Sequence, residues 1–270
     1  MADGGVPGRL LIIGGAADRC SGAGLLERFV ELCGGGSARI VLVTTATGMP
    51  DQVHADYERV FCKLGVDRTM QLRLRGRADA DGDAAATMLA DATGVFFSGG
   101  DQSRLRTLVG SRTNEVLRER LTEGLVVGGT SAGATALGRT MILSGQSPEV
   151  SAGTVRTGPG LRLVPKVLID MHFGERGRLP RLLSAVALDP EHLGLGIDEN
   201  TAILVEGQSF EVLGTGVVTV ADAQRATVVY PAGDGDPITL FDVRLHLLPA
   251  GCVFGIDKRA PAIGPGHDRY

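Results

Sequence analysis

The sequence predicts an α/β protein: a mostly parallel sheet flanked by helices on both faces, with an antiparallel β extension in the C-terminal third. Three observations predict it. Short, near-continuous apolar runs alternate with amphipathic stretches through the first two-thirds of the chain, as expected for strands buried on both faces and joined by crossover helices. From about Gly194 the rhythm changes to short runs divided by Gly, Asp, Pro or Asn turns, which read as hairpins added to one end of the sheet. The composition, 43% hydrophobic and 21% charged over 270 residues, suits one compact unit with a sizeable core.

The elements follow in order. Residues 9–15 (RLLIIGG), 39–45 (RIVLVTT), 70–74, 95–98 (VFFS), 125–128 and 167–170 (VLID) read as strands. Between them, 25–33, 52–64, 83–91, 113–123 and 177–188 carry apolar residues at i, i+3 and i+4, the spacing of one helix face. The later strands are 202–205, 210–213, 217–220, 227–230 and 245–248. Neither an internal repeat nor a low-complexity linker interrupts them. Residues 1–8 and the Pro- and Gly-rich 259–270 are expected to be mobile.

Bulk properties narrow the function. A net charge of −4 offers no basic surface for nucleic acid. The apolar run after the polar first residues is too short for a signal-peptide core or a bilayer span, so a cytoplasmic protein without a membrane partner is expected. Cys20, Cys33, Cys62 and Cys252 form no C-x-x-C pair and read as free thiols in a reducing compartment.

The sharpest chemical signal is Gly128-Gly129-Thr130-Ser131-Ala132-Gly133-Ala134, between an apolar strand and a helix-compatible stretch. A serine at such a turn presents its hydroxyl at the carboxyl edge of a sheet, and small neighbours let the backbone approach a substrate. The alternative is a Gly/Ser turn that binds phosphate or nothing. A nucleophilic serine needs a base. Of five histidines, His54, His192, His246 and His267 read as surface or interfacial. His172 ends the buried strand VLID and opens MHFGERGR, which puts it on the same carboxyl edge as Ser131, where α/β proteins bind ligands. An orienting carboxylate is offered by Asp198 or Glu199 in GIDEN. In FFSGGDQ, a strand ends in two glycines whose exposed N–H groups can complete an oxyanion hole; the bland reading is a helix cap at Asp101. GGAAD after the first strand lacks the spacing of G-x-G-x-x-G, so a dinucleotide site is not expected. Arg176, Arg178 and Arg181 cluster after His172 and can bind a substrate carboxylate.

FFSGGDQSRL (97–105 at its core), GGTSAGATALG (128–138), IDMHFGERGRLPRLL (169–183) and GLGIDENTAILV (194–205) together resemble the cyanophycinase family of serine peptidases, related to α-aspartyl dipeptidase, across most of residues 10 to 220. The resemblance implies Ser131 as nucleophile, His172 as general base and Glu199 as third member. It implies an oxyanion hole at the N–H groups of Gly100 and Ala132, with Gln102, Asp170, Arg178 and Arg181 lining the substrate pocket. Family members cleave multi-L-arginyl-poly-L-aspartate to β-Asp-Arg dipeptides, use no metal or cofactor, and are commonly homodimers. One departure stands out. The family typically reads Asp-Gln-His at the base, whereas this chain reads Asp170-Met171-His172, and a thioether cannot make the hydrogen bonds of an amide. The expected activity is therefore hydrolysis of an aspartyl peptide bond. The rivals are a peptidase or amidase acting on another aspartyl or isoaspartyl compound in a biosynthetic pathway, and a non-catalytic binding relative.

Overall fold

A computed structural model describes residues 6–16, 24–145, 149–231, 233 and 236–263. Cys20, His267 and residues 1–5 lie outside them. The chain begins β1 (Val6–Ile13), α1 (Leu25–Leu32), β2 (Ile40–Val43), α2 (Pro50–Lys63), β3 (Thr69–Leu72), α3 (Arg77–Ala80), α4 (Asp83–Ala90) and β4 (Gly94–Phe97). It continues with α5 (Arg112–Thr122), β5 (Val126–Thr130), α6 (Ala132–Ala136), β6 (Gly138–Ser144), β7 (Arg156–Pro159), β8 (Val164–Met171) and α7 (Leu179–Leu188). Strands complete it: β9 (Leu193–Ile197), β10 (Thr201–Gly207), β11 (Ser209–Gly214), β12 (Val217–Asp222), β13 (Thr227–Val229), β14 (Thr239–Phe241), β15 (Arg244–Pro249), β16 (Cys252–Gly255) and β17 (Ala260–Ile263).

Local chemistry accounts for the helices. Pro50 opens α2 and Lys63 closes it, as helix-end geometry and the macrodipole favour. Ser111 caps α5 by accepting the Asn114 N–H at 3.2 Å. Leu25, Leu26, Phe29 and Val30 form the buried face of α1.

In the larger sheet β1, β5, β4, β2 and β3 run parallel, and the antiparallel strands β10, β11, β16 and β17 extend it beyond β1 to nine strands. A second sheet of six strands runs β15-β12-β9-β8-β6-β7, with β6, β8 and β9 parallel. The antiparallel extension of a mostly parallel sheet is as expected, but the strands fall into two main sheets rather than one. The VLID strand belongs to the second sheet, so His172 does not share a sheet edge with Ser131. An apolar run reports burial on both faces, and burial is the same whichever sheet supplies the pairing partner. Within the expected tail, Arg259 pairs with Asp222 and the next four residues form β17, while residues 264–270 lie outside the described residues.

Side-chain alternation along the strands builds the core. On one face of the large sheet Leu11, Ile13, Ile40, Leu42 and Phe96 pack on α1 and α2, where the Phe29 and Phe96 rings meet edge-on at 5.1 Å. On the other face Leu10, Ile12, Val41, Phe97 and Val127 join Val167, Ile169 and Leu195 of the second sheet in one cluster, closed by Leu89 and Leu117. Leu168 points the opposite way, onto Leu182 and Val186 of α7. The two sheets thus share a core, and that shared core brings their ends together.

Candidate active site

β5 ends at Thr130, and the next residue, Ser131, has φ 51° and ψ −116°. A side chain at positive φ is strained by roughly 1–3 kcal/mol and persists only where its surroundings hold it. Here the Ser131 N–H donates to Ile13 O at 3.2 Å, and its carbonyl accepts the Thr135 N–H at 3.1 Å. The result is a sharp strand–helix turn with the hydroxyl outside it.

His172 follows β8 at φ 49° and donates its N–H to Gly14 O at 2.8 Å. Its Nε2 lies 2.9 Å from Ser131 Oγ, and its Nδ1 lies 2.5 Å from Glu199 Oε1. The His172 and Glu199 side chains are 13% and 32% exposed, so the cluster is sheltered yet open to a substrate. Asp198, the other acid of GIDEN, is committed elsewhere: its carboxylate accepts the Gly174 N–H at 2.8 Å and the Val217 N–H at 3.0 Å. Glu175 accepts the Glu199 N–H at 3.1 Å and steadies that turn.

Beside Ser131, Gly100 has φ +142°, and a Cβ there would meet Ala46 O at 2.3 Å; only glycine fits. A Cβ on Gly99 would stand 3.4 Å from the Ser131 Cβ, so this loop lies against the serine. Among the described residues, the Gly100 and Ala132 N–H groups make no turn, loop or side-chain hydrogen bond. Asp101 caps the segment that follows by accepting the Ser103 N–H at 2.9 Å. Hydrogen bonds from Ser103 hold its carboxyl below the usual range.

The residues expected to line the pocket divide into two groups. Asp170 is fully buried, with Arg178 and Arg181 at 8% and 6% exposure. Arg181 Nε donates to Asp170 Oδ2 at 2.8 Å and its Nη1 to Gly145 O at 3.1 Å, while Nη2 binds Asp170 Oδ1. Arg178 Nη1 reaches Asp170 Oδ1 at 3.3 Å, the Met171 carbonyl, and the Met171 sulfur at 3.2 Å. Burial lowers the Arg178 guanidinium to about 10, against the opposing pull of Asp170. Gln102 donates its amide to Ile142 O and Leu143 O at 3.0 and 2.7 Å. These side chains form a hydrogen-bonded wall. Met171 is buried in it, whereas Arg176 is exposed.

Of the other histidines, His192 is 5% exposed beside Asp189, more buried than its Pro-Glu-His turn suggests. His54 bonds Thr69 and His246 packs on Phe254. Cys33, Cys62 and Cys252 are free, and burial pushes the Cys33 thiol up to about 12.

Gly14 and Gly15 were missed as contributors to the site. Their signal was GGAAD, a glycine pair at the end of a buried strand. A dinucleotide test discards that pair, but crowding explains it: a Cβ on Gly14 would lie 2.2 Å from Asp198 O, and one on Gly15, at φ +140°, would lie 2.2 Å from His172 Cε1.

The family model of peptidase family S51 matches residues 10–213. The chain belongs to peptidase family S51. It is 36% identical to a cyanophycinase of Trichormus variabilis over 94% of this chain and 88% of that protein. A cyanophycinase of Synechococcus elongatus is 38% identical, covering 93% and 80%. One from Geminocystis herdmanii is 35% identical, covering 94% and 96%. A peptidase from an acI-B1 Actinobacterium shares the fold with a TM-score of 0.67 at 21% identity, covering 93% of this chain and 98% of that one. As a member of S51 the protein is a serine peptidase-type hydrolase acting on a peptide substrate. Among the described residues of this S51 chain, no helix is long and apolar enough to cross a membrane.

Proposed function

We propose that the protein hydrolyses an aspartyl peptide bond, in cyanophycin or a related substrate, through an acyl-enzyme on Ser131. The observation that carries this reading is the unbroken relay from Ser131 Oγ to His172 Nε2 at 2.9 Å and from His172 Nδ1 to Glu199 Oε1 at 2.5 Å. Ser131 Oγ attacks the scissile carbonyl as its proton passes to His172 Nε2. Glu199 accepts the Nδ1–H, fixes the tautomer and stabilises the imidazolium. The developing oxyanion meets the Gly100 and Ala132 N–H groups, donors that typically contribute ~3–4 kcal/mol each. His172 then returns the proton to the departing amine. Water, deprotonated in turn by His172, attacks the acyl carbonyl, the bond to Oγ breaks, and His172 returns that proton to Ser131 Oγ.

The polyaspartate substrate rests on the named relatives and on the shared motifs. Asp170, Arg178, Arg181 and Gln102 shape the wall beside the base, and the exposed Arg176 is the guanidinium available to a substrate carboxylate. A second reading, an isoaspartyl peptide or another aspartyl compound, is favoured by Met171, whose sulfur faces Arg178 where the family places an amide. A cytoplasmic homodimer is part of the proposal.

The test is Ser131→Ala combined with fluorophosphonate labelling. Turnover of any cleaved aspartyl peptide should fall at least ~10³-fold, with unfolding unchanged and the label lost from Ser131. An unlabelled wild-type Ser131 would leave only a binding relative.

A further inference from the structure

A cleft of about 310 Å³ opens at the carboxyl ends of β2 and β3. Arg73, Arg75 and Arg104 line it, and no carboxylate is among its lining residues. Neighbouring acids neutralise it only in part: Asp101 interacts electrostatically with Arg104, whose Nη1 also donates to Thr47 O at 2.9 Å. Asp51 approaches Arg73 only to 3.8 Å and is itself 81% exposed, and Asp79 accepts the Arg75 backbone N–H rather than its guanidinium. Three cations gathered on one concave wall that no carboxylate lines favour an anionic ligand.

Hydroxyl groups complete the lining. Thr44 Oγ1 accepts from Gln71 at 3.2 Å, Thr45 Oγ1 from the Leu74 N–H at 3.2 Å, and Thr47 Oγ1 from the Met49 N–H at 3.1 Å. A hydroxyl that accepts one bond keeps its hydrogen to donate, and among the described residues none of these three does. Thr107, on the same wall, has a buried Oγ1 without any hydrogen-bond partner. Leaving a buried hydroxyl unpaired costs about 1–3 kcal/mol.

The cleft adjoins the proposed catalytic loop. Ala46, between Thr45 and Thr47, accepts the Asp101 N–H at 2.9 Å and lies against Gly100. The loop that lines the cleft therefore packs against the loop that carries Gly100. We propose that the cleft is a second subsite, which binds a carboxylate of the peptide substrate beyond the residue that acylates Ser131. This rests on the hydrolase reading given above, and it assigns Arg73, Arg75 and Arg104 a role in selecting acidic, multi-residue substrates.

The experiment compares wild type, Arg73→Gln/Arg75→Gln, Arg75→Lys and the exposed control Arg28→Gln. The substrates are paired aspartyl peptides that differ only in carrying aspartate or asparagine beyond the cleaved bond. The double variant should raise KM for the acidic member about tenfold or more relative to its amide partner, with the loss in KM rather than kcat. Arg75→Lys should retain part of the preference. The wild-type preference for the acidic member should weaken with salt, as screening requires, and the double variant should show little of that dependence. Equal acidic-to-amide ratios in wild type and double variant would overturn the subsite. So would inorganic phosphate that binds in calorimetry without competing with the acidic peptide, since that describes a free-anion site. If fluorophosphonate labels no form of the protein, the hydrolase reading fails on its own. Calorimetry of tri-aspartate against wild type and double variant then decides the cleft, and equal binding or none overturns it.

Discussion

The backbone N–H of His172 donates to the carbonyl of Gly14 at 2.8 Å, and that bond ties the end of the second sheet to the end of β1. Its neighbours repeat the pattern. Ile13 O accepts the Ser131 N–H at 3.2 Å, and Gly15 O accepts the Asn200 N–H at 3.1 Å. Three consecutive carbonyls thus gather the three loops that bear Ser131, His172 and Glu199. Ser131, His172 and Asn200 each sit at φ near +50°, the backbone strain that such over-determined contacts can hold in place.

Gly15→Ala tests this template directly. A methyl group 2.2 Å from His172 Cε1 must push the ring away, and an ångström of misplacement commonly costs ~10²-fold in rate. The variant should fold, label more slowly at Ser131 and lose kcat by about that factor. Wild-type kcat and labelling rate would show that the ring does not depend on this glycine.

Glu199→Gln keeps the side-chain shape but removes the charge that favours the productive tautomer of His172. The expected kcat loss is on the order of 10³–10⁴, whereas Asp198→Asn should act mainly on stability. A larger kinetic loss in Asp198→Asn than in Glu199→Gln would reverse the assignment of the acid.

Asp170→Asn leaves two buried guanidiniums without their shared carboxylate. Breaking a buried ion pair from one side costs about 3–5 kcal/mol, which denaturant unfolding should read as a clear drop in midpoint. A change below ~1 kcal/mol would mean that Arg178 and Arg181 find other partners or water.

Met171→Gln reads specificity. If specificity has moved away from cyanophycin, the wild type should cleave the polymer poorly and the variant should gain tenfold to a hundredfold, about one or two neutral hydrogen bonds. Vigorous cyanophycin cleavage by the wild type, with no gain in the variant, restores the plain cyanophycinase reading.

Periodicity made most elements legible. The apolar runs from β1 to β5, the helices α1, α2, α4 and α5 between them and β10 to β12 fall close to their expected positions, because burial of one helix face or both strand faces is written locally. Weaker segments escaped. β6 and β7 have burial patterns broken by exposed residues, so neither alternation nor a continuous apolar run marks them, although β6 carries the carbonyls that hold Gln102. Sequence spacing likewise does not separate Arg176 in solvent from Arg178 and Arg181 around Asp170.

By itself the sequence determined the α/β class, the strained serine turn after a buried strand, and the histidine placed after VLID, all features of local pattern and small-residue chemistry. Tertiary structure decided that His172 arrives from a second sheet and that Glu199 rather than Asp198 meets its ring. It also decided that three consecutive carbonyls at the end of β1, those of Ile13, Gly14 and Gly15, anchor all three loops. Those choices depend on which strand ends share a core and which carbonyls remain free at its edge. Contacts between residues far apart in the chain leave no periodic trace in it.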